Sequence, residues 1–164
     1  MRDRSRQALP RRSLLLAAAM LASGCASRRP SDGSSFWSGR MSLQVRSDPP
    51  QSFSASFELS GSAEQGQLLL NSPLGTAIAS ARWNAAEAVL KSGQDARLFR
   101  SMEELLAQAT GAALPLPALF DWLIGINTPV PGWLTDLSGL AEGRLVARRQ
   151  TPVPAVELRI ALDR

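Results

Sequence analysis

Apolar and polar residues take turns through much of this chain, a two-residue period that suits extended strands and not helices. Met41, Leu43 and Val45 alternate with Ser42, Gln44 and Arg46. Phe53, Ala55, Phe57 and Leu59 alternate with Ser54, Ser56 and Glu58, and Asp48-Pro49-Pro50 between the two runs is a turn. Each run offers one face to a core and the other to water. Gly66 to Leu70 and Thr76 to Trp83 read as two more strands, hinged at Asn71-Ser72-Pro73-Leu74-Gly75. Ala88 to Lys91 and Ala96 to Phe99 form a hairpin around Ser92-Gly93-Gln94-Asp95. The chain closes with strands near Arg144–Gln150 and Val156–Leu162.

Between these strands the period changes. Ser101, with Glu104 three residues on, is a capping-box pattern. Met102, Leu105, Leu106 and Ala109 mark one face of a short helix that Gly111 can close. Leu114-Pro115-Leu116-Pro117 stiffens the connection, and Pro117 suits the first position of a second helix, Ala118 to Ile124. That helix carries Leu119, Phe120, Trp122, Leu123 and Ile124 with only Asp121 polar, so it must lie between two apolar surroundings. The expected fold class is α+β, mainly β: an open, incomplete antiparallel β-barrel wrapped around a short helical plug or lid.

The N-terminus reads as an address. Five arginines precede Ser13, and Leu14 to Ala22 is an uncharged run of nine residues. That suits a signal-peptide core and is shorter than the roughly 20 residues a membrane helix needs. It ends in Leu21-Ala22-Ser23-Gly24-Cys25, which closely resembles the lipobox of bacterial lipoproteins, with Ala22 in place of the commoner Leu. The resemblance implies cleavage before Cys25 and acylation of its thiol and amine. Several acyl chains give stable anchoring, at about 0.8 kcal/mol per buried methylene. Ala26, where Asp would mark inner-membrane retention, implies export to the periplasmic face of the outer membrane. Arg11-Arg12-Ser13-Leu14-Leu15 also faintly resembles a twin-arginine signal. The expected organisation is therefore a removed signal peptide over 1–24, a lipidated Cys and flexible tether over 25–35, and one domain over 36–164.

Composition narrows the chemistry. Eighteen Lys and Arg against 14 Asp and Glu give +4. Residues 1–24 hold five Arg and one Asp, leaving 13 basic and 13 acidic residues from Cys25 on. The basic excess thus belongs to the signal segment and does not indicate nucleic acid. With no His, no Tyr and Cys25 as the only Cys, His-based triads, His-ligated metals and intrachain disulfides are excluded. Glu103 and Glu104 are neighbours on a helix and do not face each other, and Lys91 is the only Lys available to activate a Ser. The chain is not expected to be an enzyme, and neither cofactor nor metal is expected.

Gly39-Arg40-Met41, the strand Phe53–Leu59, Leu68-Leu69-Leu70-Asn71-Ser72-Pro73-Leu74-Gly75, Ser101–Gly111, Leu114-Pro115-Leu116 and Trp122-Leu123-Ile124-Gly125 follow one another in the order of the LolB family. The resemblance runs from about Phe36 to Trp133. The region after Trp133 is shorter than in typical members, and Glu58 stands where members often carry an aromatic. The resemblance implies a half-open barrel whose apolar cavity holds acyl chains, and a short loop whose exposed Leu touches the membrane. Here that loop is Pro73, Leu74 and Gly75, in a sequence that also has β-turn chemistry. Candidate cavity residues are Phe53, Phe57, Leu68, Leu70, Ile78, Leu119, Trp122 and Leu123, with the second helix favoured because one of its apolar surroundings would be ligand. The implied function is an outer-membrane receptor that accepts lipoproteins from a periplasmic, LolA-like carrier and inserts them into the outer membrane. The implied partners are that carrier, the acyl chains of its cargo and outer-membrane phospholipid, with the chain a monomer. Arg40, Arg46, Arg82, Arg97, Arg100, Arg144, Arg148 and Arg149 are candidates for the docking rim. Two other readings share the lipobox and strands: an assembly lipoprotein that binds a protein partner, and a general periplasmic lipid carrier of the same superfold.

Overall fold

The computed structural model describes residues 35–164. The expected signal segment, Cys25 and all but the last residue of the expected tether lie outside the described residues. Nine strands form one antiparallel sheet. They are β1 (Phe36–Arg46), β2 (Gln51–Gly61), β3 (Gly66–Asn71), β4 (Ala77–Trp83), β5 (Ala88–Ser92), β6 (Asp95–Phe99), β7 (Trp133–Asp136), β8 (Arg144–Arg149) and β9 (Ala155–Leu162). The order across the sheet is β6-β5-β4-β3-β2-β1-β9-β8-β7, and β6 and β7 are not paired with each other. The sheet curls without closing, so the expected open barrel stands.

Register follows the alternation. Leu43 faces Phe53 on one side and Leu158 on the other, and Met41 faces Ala55 and Ile160. This stacks the apolar positions of β1, β2 and β9 on the inner face. β1 begins five residues earlier than Met41 because Gly39 pairs with both Phe57 and Leu162. Only Gly permits that approach, since a Cβ there would overlap the Ala161 carbonyl oxygen. β7 was not expected. It is four residues long, follows Pro129 and Pro131, and is held by pairing Trp133 with Arg149.

Both helices lie against the inner face. α1 (Met102–Thr110) starts as its cap predicts, with the Ser101 hydroxyl accepting from the Glu104 N–H at 3.1 Å. The reciprocal bond differs from a standard capping box. The Glu104 carboxylate accepts from the N–H of Arg100, at 2.8 Å, because the Arg100 guanidinium holds it there at 3.0 Å. That pairing, side-chain bond first, keeps the Glu104 carboxyl below its usual range. Gly111, at φ 68°, ends the helix.

α2 (Leu116–Leu123) starts two residues before the expected Ala118, so Pro117 takes its second position. No amide in a first turn has an intrahelical partner, so either position tolerates the missing N–H. The helix ends in a Schellman motif. Ile126 N–H donates to the Asp121 carbonyl at 2.9 Å and Gly125 N–H to that of Trp122 at 3.1 Å, with Gly125 at φ 86°. Phe120 meets Trp37 edge-on, with ring centroids 5.5 Å apart, and Trp122 packs on Trp133 at 6.0 Å. α2 is thus the plug of the barrel.

Candidate functional site

A cavity of about 390 Å³ lies between α1 and the inner faces of β1 to β5. Met41, Leu43 and Val45 come from β1, Leu68 and Leu70 from β3, and Met102, Leu105, Leu106 and Ala109 from α1. Every one of these points inward through strand or helix periodicity, so the apolar lining is a direct product of the sequence pattern. No charged side chain lines the wall. Its polar members include Gln51 and Ser52 at the start of β2, Ser92 at the end of β5 and Thr110 at the end of α1. Antiparallel pairing brings the three strand residues to the end of the barrel that carries the β3–β4 turn, and Gly111, next to Thr110, adjoins Gln51 there, so these polar groups mark the mouth. Phe53, 37% exposed, lies there too.

Beneath the cavity is a smaller void of about 60 Å³. Met41, Leu68, Met102, Leu106 and Leu114 line both spaces, so they form the partition between them. Two of the five are methionines, whose unbranched side chains change shape readily.

The turn at the mouth is firmly built. Gly75 N–H donates to the Ser72 carbonyl and Ser72 N–H to that of Thr76, both at 2.8 Å, and the Ser72 hydroxyl accepts from the Thr76 N–H at 3.2 Å. Pro73 fixes the second position, and Gly75 takes φ 81°. Leu74 is 94% exposed between them, on a braced tip with nothing folded over it.

The eight cavity candidates divide. Phe53, Leu68, Leu70 and Ile78 line the main cavity. Phe57, Leu68, Leu119 and Leu123 line the small inner void. Trp122 lines neither space; it is 1% exposed and donates its indole N–H to the Thr128 carbonyl at 3.0 Å. Of α2, Leu119 and Leu123 therefore face an enclosed apolar space, while Trp122 faces protein. The main cavity is bordered by α1 and by no residue of α2. The α1 positions were visible in the sequence as an apolar face, but nothing there distinguishes a face that meets protein from one that meets space.

Two further residues are placed by the structure. Glu58 alternates away from Phe57 and Leu59 and is exposed on the outer face, so it contributes nothing to the cavity wall. Arg149 is not on the rim: it is 6% exposed and lies over the Trp133 ring at 5.6 Å. Its guanidinium donates to the Ala113 and Pro154 carbonyls, each at 3.2 Å, tying the α1–α2 connection to the β8–β9 loop. Among the described residues no helix is long and apolar enough to cross a membrane, and no group of metal-ligating side chains occurs.

Comparison with known proteins meets this geometry. The family model described as outer membrane lipoprotein LolB matches residues 36–153, which takes in both helices and all strands except β9. An outer-membrane lipoprotein LolB of Cupriavidus pinatubonensis is 32% identical over 147 residues, covering 84% of this chain and 70% of the relative. Another, from Ralstonia nicotianae, is 35% identical over 127 residues, covering 70% of this chain and 60% of the relative. The chain belongs to the LolB family of outer-membrane lipoproteins.

Proposed function

We propose that this chain is an outer-membrane receptor for lipoproteins, held at the periplasmic face by acyl chains on Cys25 after removal of residues 1–24. It takes cargo from a periplasmic carrier and releases it into the outer membrane. The observation that carries this reading is the uncharged apolar cavity of about 390 Å³ opening at one end of the barrel. That volume lies within the range of about 300–1,000 Å³ usual for small-ligand pockets.

The mechanism needs no bond to be made or broken. Exposing acyl chains to water costs about 0.8 kcal/mol per methylene, so ten methylenes cost about 8 kcal/mol. Docking mouth to mouth lets the chains pass from the carrier into the lining of Leu43, Leu70 and Leu105 without that exposure. Leu74 then sets the mouth against the bilayer. Burying one Leu in lipid is worth about 1.5–3 kcal/mol, small beside an acyl anchor but enough to orient the domain. In the bilayer the chains are as well solvated as in the cavity, so release needs no energy source.

Depletion of the chain from its host tests the reading. Lipoproteins are expected to accumulate in the periplasm bound to their carrier. Their unhindered arrival at the outer membrane would sink the proposal.

A further inference from the structure

On the outside of the sheet, three arginines from three adjacent strands converge beside the Leu74 turn. The register places Arg40 of β1 and Arg144 of β8 on either side of Ala161 in β9. One rung nearer the mouth, Arg159 of β9 lies between Ser42 and Val146. Ser54 and Ser56 of β2 pair with Ser42 and Arg40 and continue the row of hydroxyls. These side chains line an open groove of about 750 Å³ on the outer face, and Pro73 forms part of its wall. The groove therefore begins one residue from Leu74.

Three arginines and no carboxylate line the groove. Arg40 makes no ion pair among the described residues. Arg159 and Arg148 share the single Glu157 carboxylate, leaving that triad one positive charge in excess. Arg144 reaches Glu142 only at 3.7 Å, with both side chains at least half exposed. Guanidinium groups beside hydroxyl donors are suited to phosphate oxygens. A protein interface, by contrast, centres on large buried anchors. This groove carries no aromatic side chain, and Ser42, Ser54 and Ser56 line it, with only Ser54 exposed.

We propose that this groove docks the phosphate headgroups of anionic phospholipid, so that the domain meets the bilayer through Leu74 in the acyl layer and the three arginines at headgroup depth. The inference depends on reading Leu74 as a lipid contact. The groove adds a preference for membrane charge that Leu74 alone cannot supply. Each arginine near an anionic surface contributes about a fivefold gain in binding, so loss of Arg40 and Arg159 together removes about 25-fold.

The test uses the mature chain from position 25 onward carrying Cys25→Ala, so that neither an acyl anchor nor the five arginines of residues 1–24 mask weaker contacts. Its partition is measured by co-sedimentation with vesicles of phosphatidylcholine, and of phosphatidylcholine mixed with phosphatidylglycerol. The unmodified groove should bind the anionic vesicles more tightly, with the excess abolished by salt. Arg40→Gln with Arg159→Gln should remove the excess and leave phosphatidylcholine binding unchanged. Leu74→Ser should do the reverse. Equal binding to both vesicles, or an excess that survives the arginine substitutions, overturns the proposal. An arginine-dependent excess with no effect of Leu74→Ser upholds the groove and sinks the reading of Leu74. If the arginine substitutions instead abolish binding to an acidic carrier protein and spare the vesicles, the groove is a protein site and the proposal fails.

Discussion

A pair of substitutions separates the two helices. Trp122→Phe removes the indole N–H from the Thr128 carbonyl and shrinks a side chain that is 1% exposed. An orphaned carbonyl costs about 1–3 kcal/mol and the lost ring volume adds to it, giving a loss of about 2–3 kcal/mol. A domain of this size loses about 3–5 °C of Tm per kcal/mol, so Tm should fall by about 10 °C. Because Trp122 lines neither space, affinity for a fluorescent fatty-acid probe should stay the same. Leu106→Trp should behave in the opposite way. Leu106 is half-buried and borders both the cavity and the void beneath, so the larger ring has room to grow into ligand space. Displacing about three methylenes of the probe costs about 2.4 kcal/mol, or roughly 50-fold in Kd. Tm should move by only a few degrees. Probe titration and thermal melts of both variants decide the matter. If Trp122→Phe weakens the probe without lowering Tm, or Leu106→Trp binds it as well as wild type, then α1 does not roof the ligand site.

Three further outcomes are expected. Ser101→Ala removes the hydroxyl that caps α1 and should lower stability by about 0.5–2 kcal/mol in urea denaturation, while Ser101→Asp retains most of it. Gly125→Ala forces a side chain into φ 86° with the Leu140 Cδ2 atom 3.3 Å away, so its urea midpoint should fall by an amount worth about 1–2 kcal/mol, and Gly125→Asn should lose less. The Glu157 carboxyl is held below its ordinary 4.5, first by the hydrogen bond from Arg148 and further by Arg159, with burial opposing. Its stabilisation is therefore complete above pH 4.5 and disappears as pH falls through the lower folded-state value, so Glu157→Gln should show a flatter acid limb in denaturation at descending pH.

Much of this architecture is legible in the sequence, because alternation names the inward residues before any pairing is known. Met41, Leu43 and Val45 sit where their period puts them, and the Ser101 cap and Gly111 stop bracket α1. β7 escaped notice because four residues hold too little of a two-residue period to stand out after two prolines. Arg149 was misread by its charge. Its parity with Leu145 and Ala147 already placed it inside, where carbonyls and the Trp133 face replace water. The role of α2 was hidden for a different reason. An all-round apolar helix requires apolar neighbours, but the curl of the sheet decides whether they are side chains or ligand.

The unpaired seam between β6 and β7 gives the barrel a mechanical character that a closed one lacks. In a closed barrel every widening stretches a hydrogen-bond ladder. Here the nine strands form a strip with two free margins, and splaying them breaks no rung. The resistance comes instead from apolar packing of the inner face against both helices, the pliable Met102 among them. The container behaves as a spring clip whose stiffness is set by side-chain packing. On the proposed function, acyl chains of different girth fit the same wall with the backbone ladder intact.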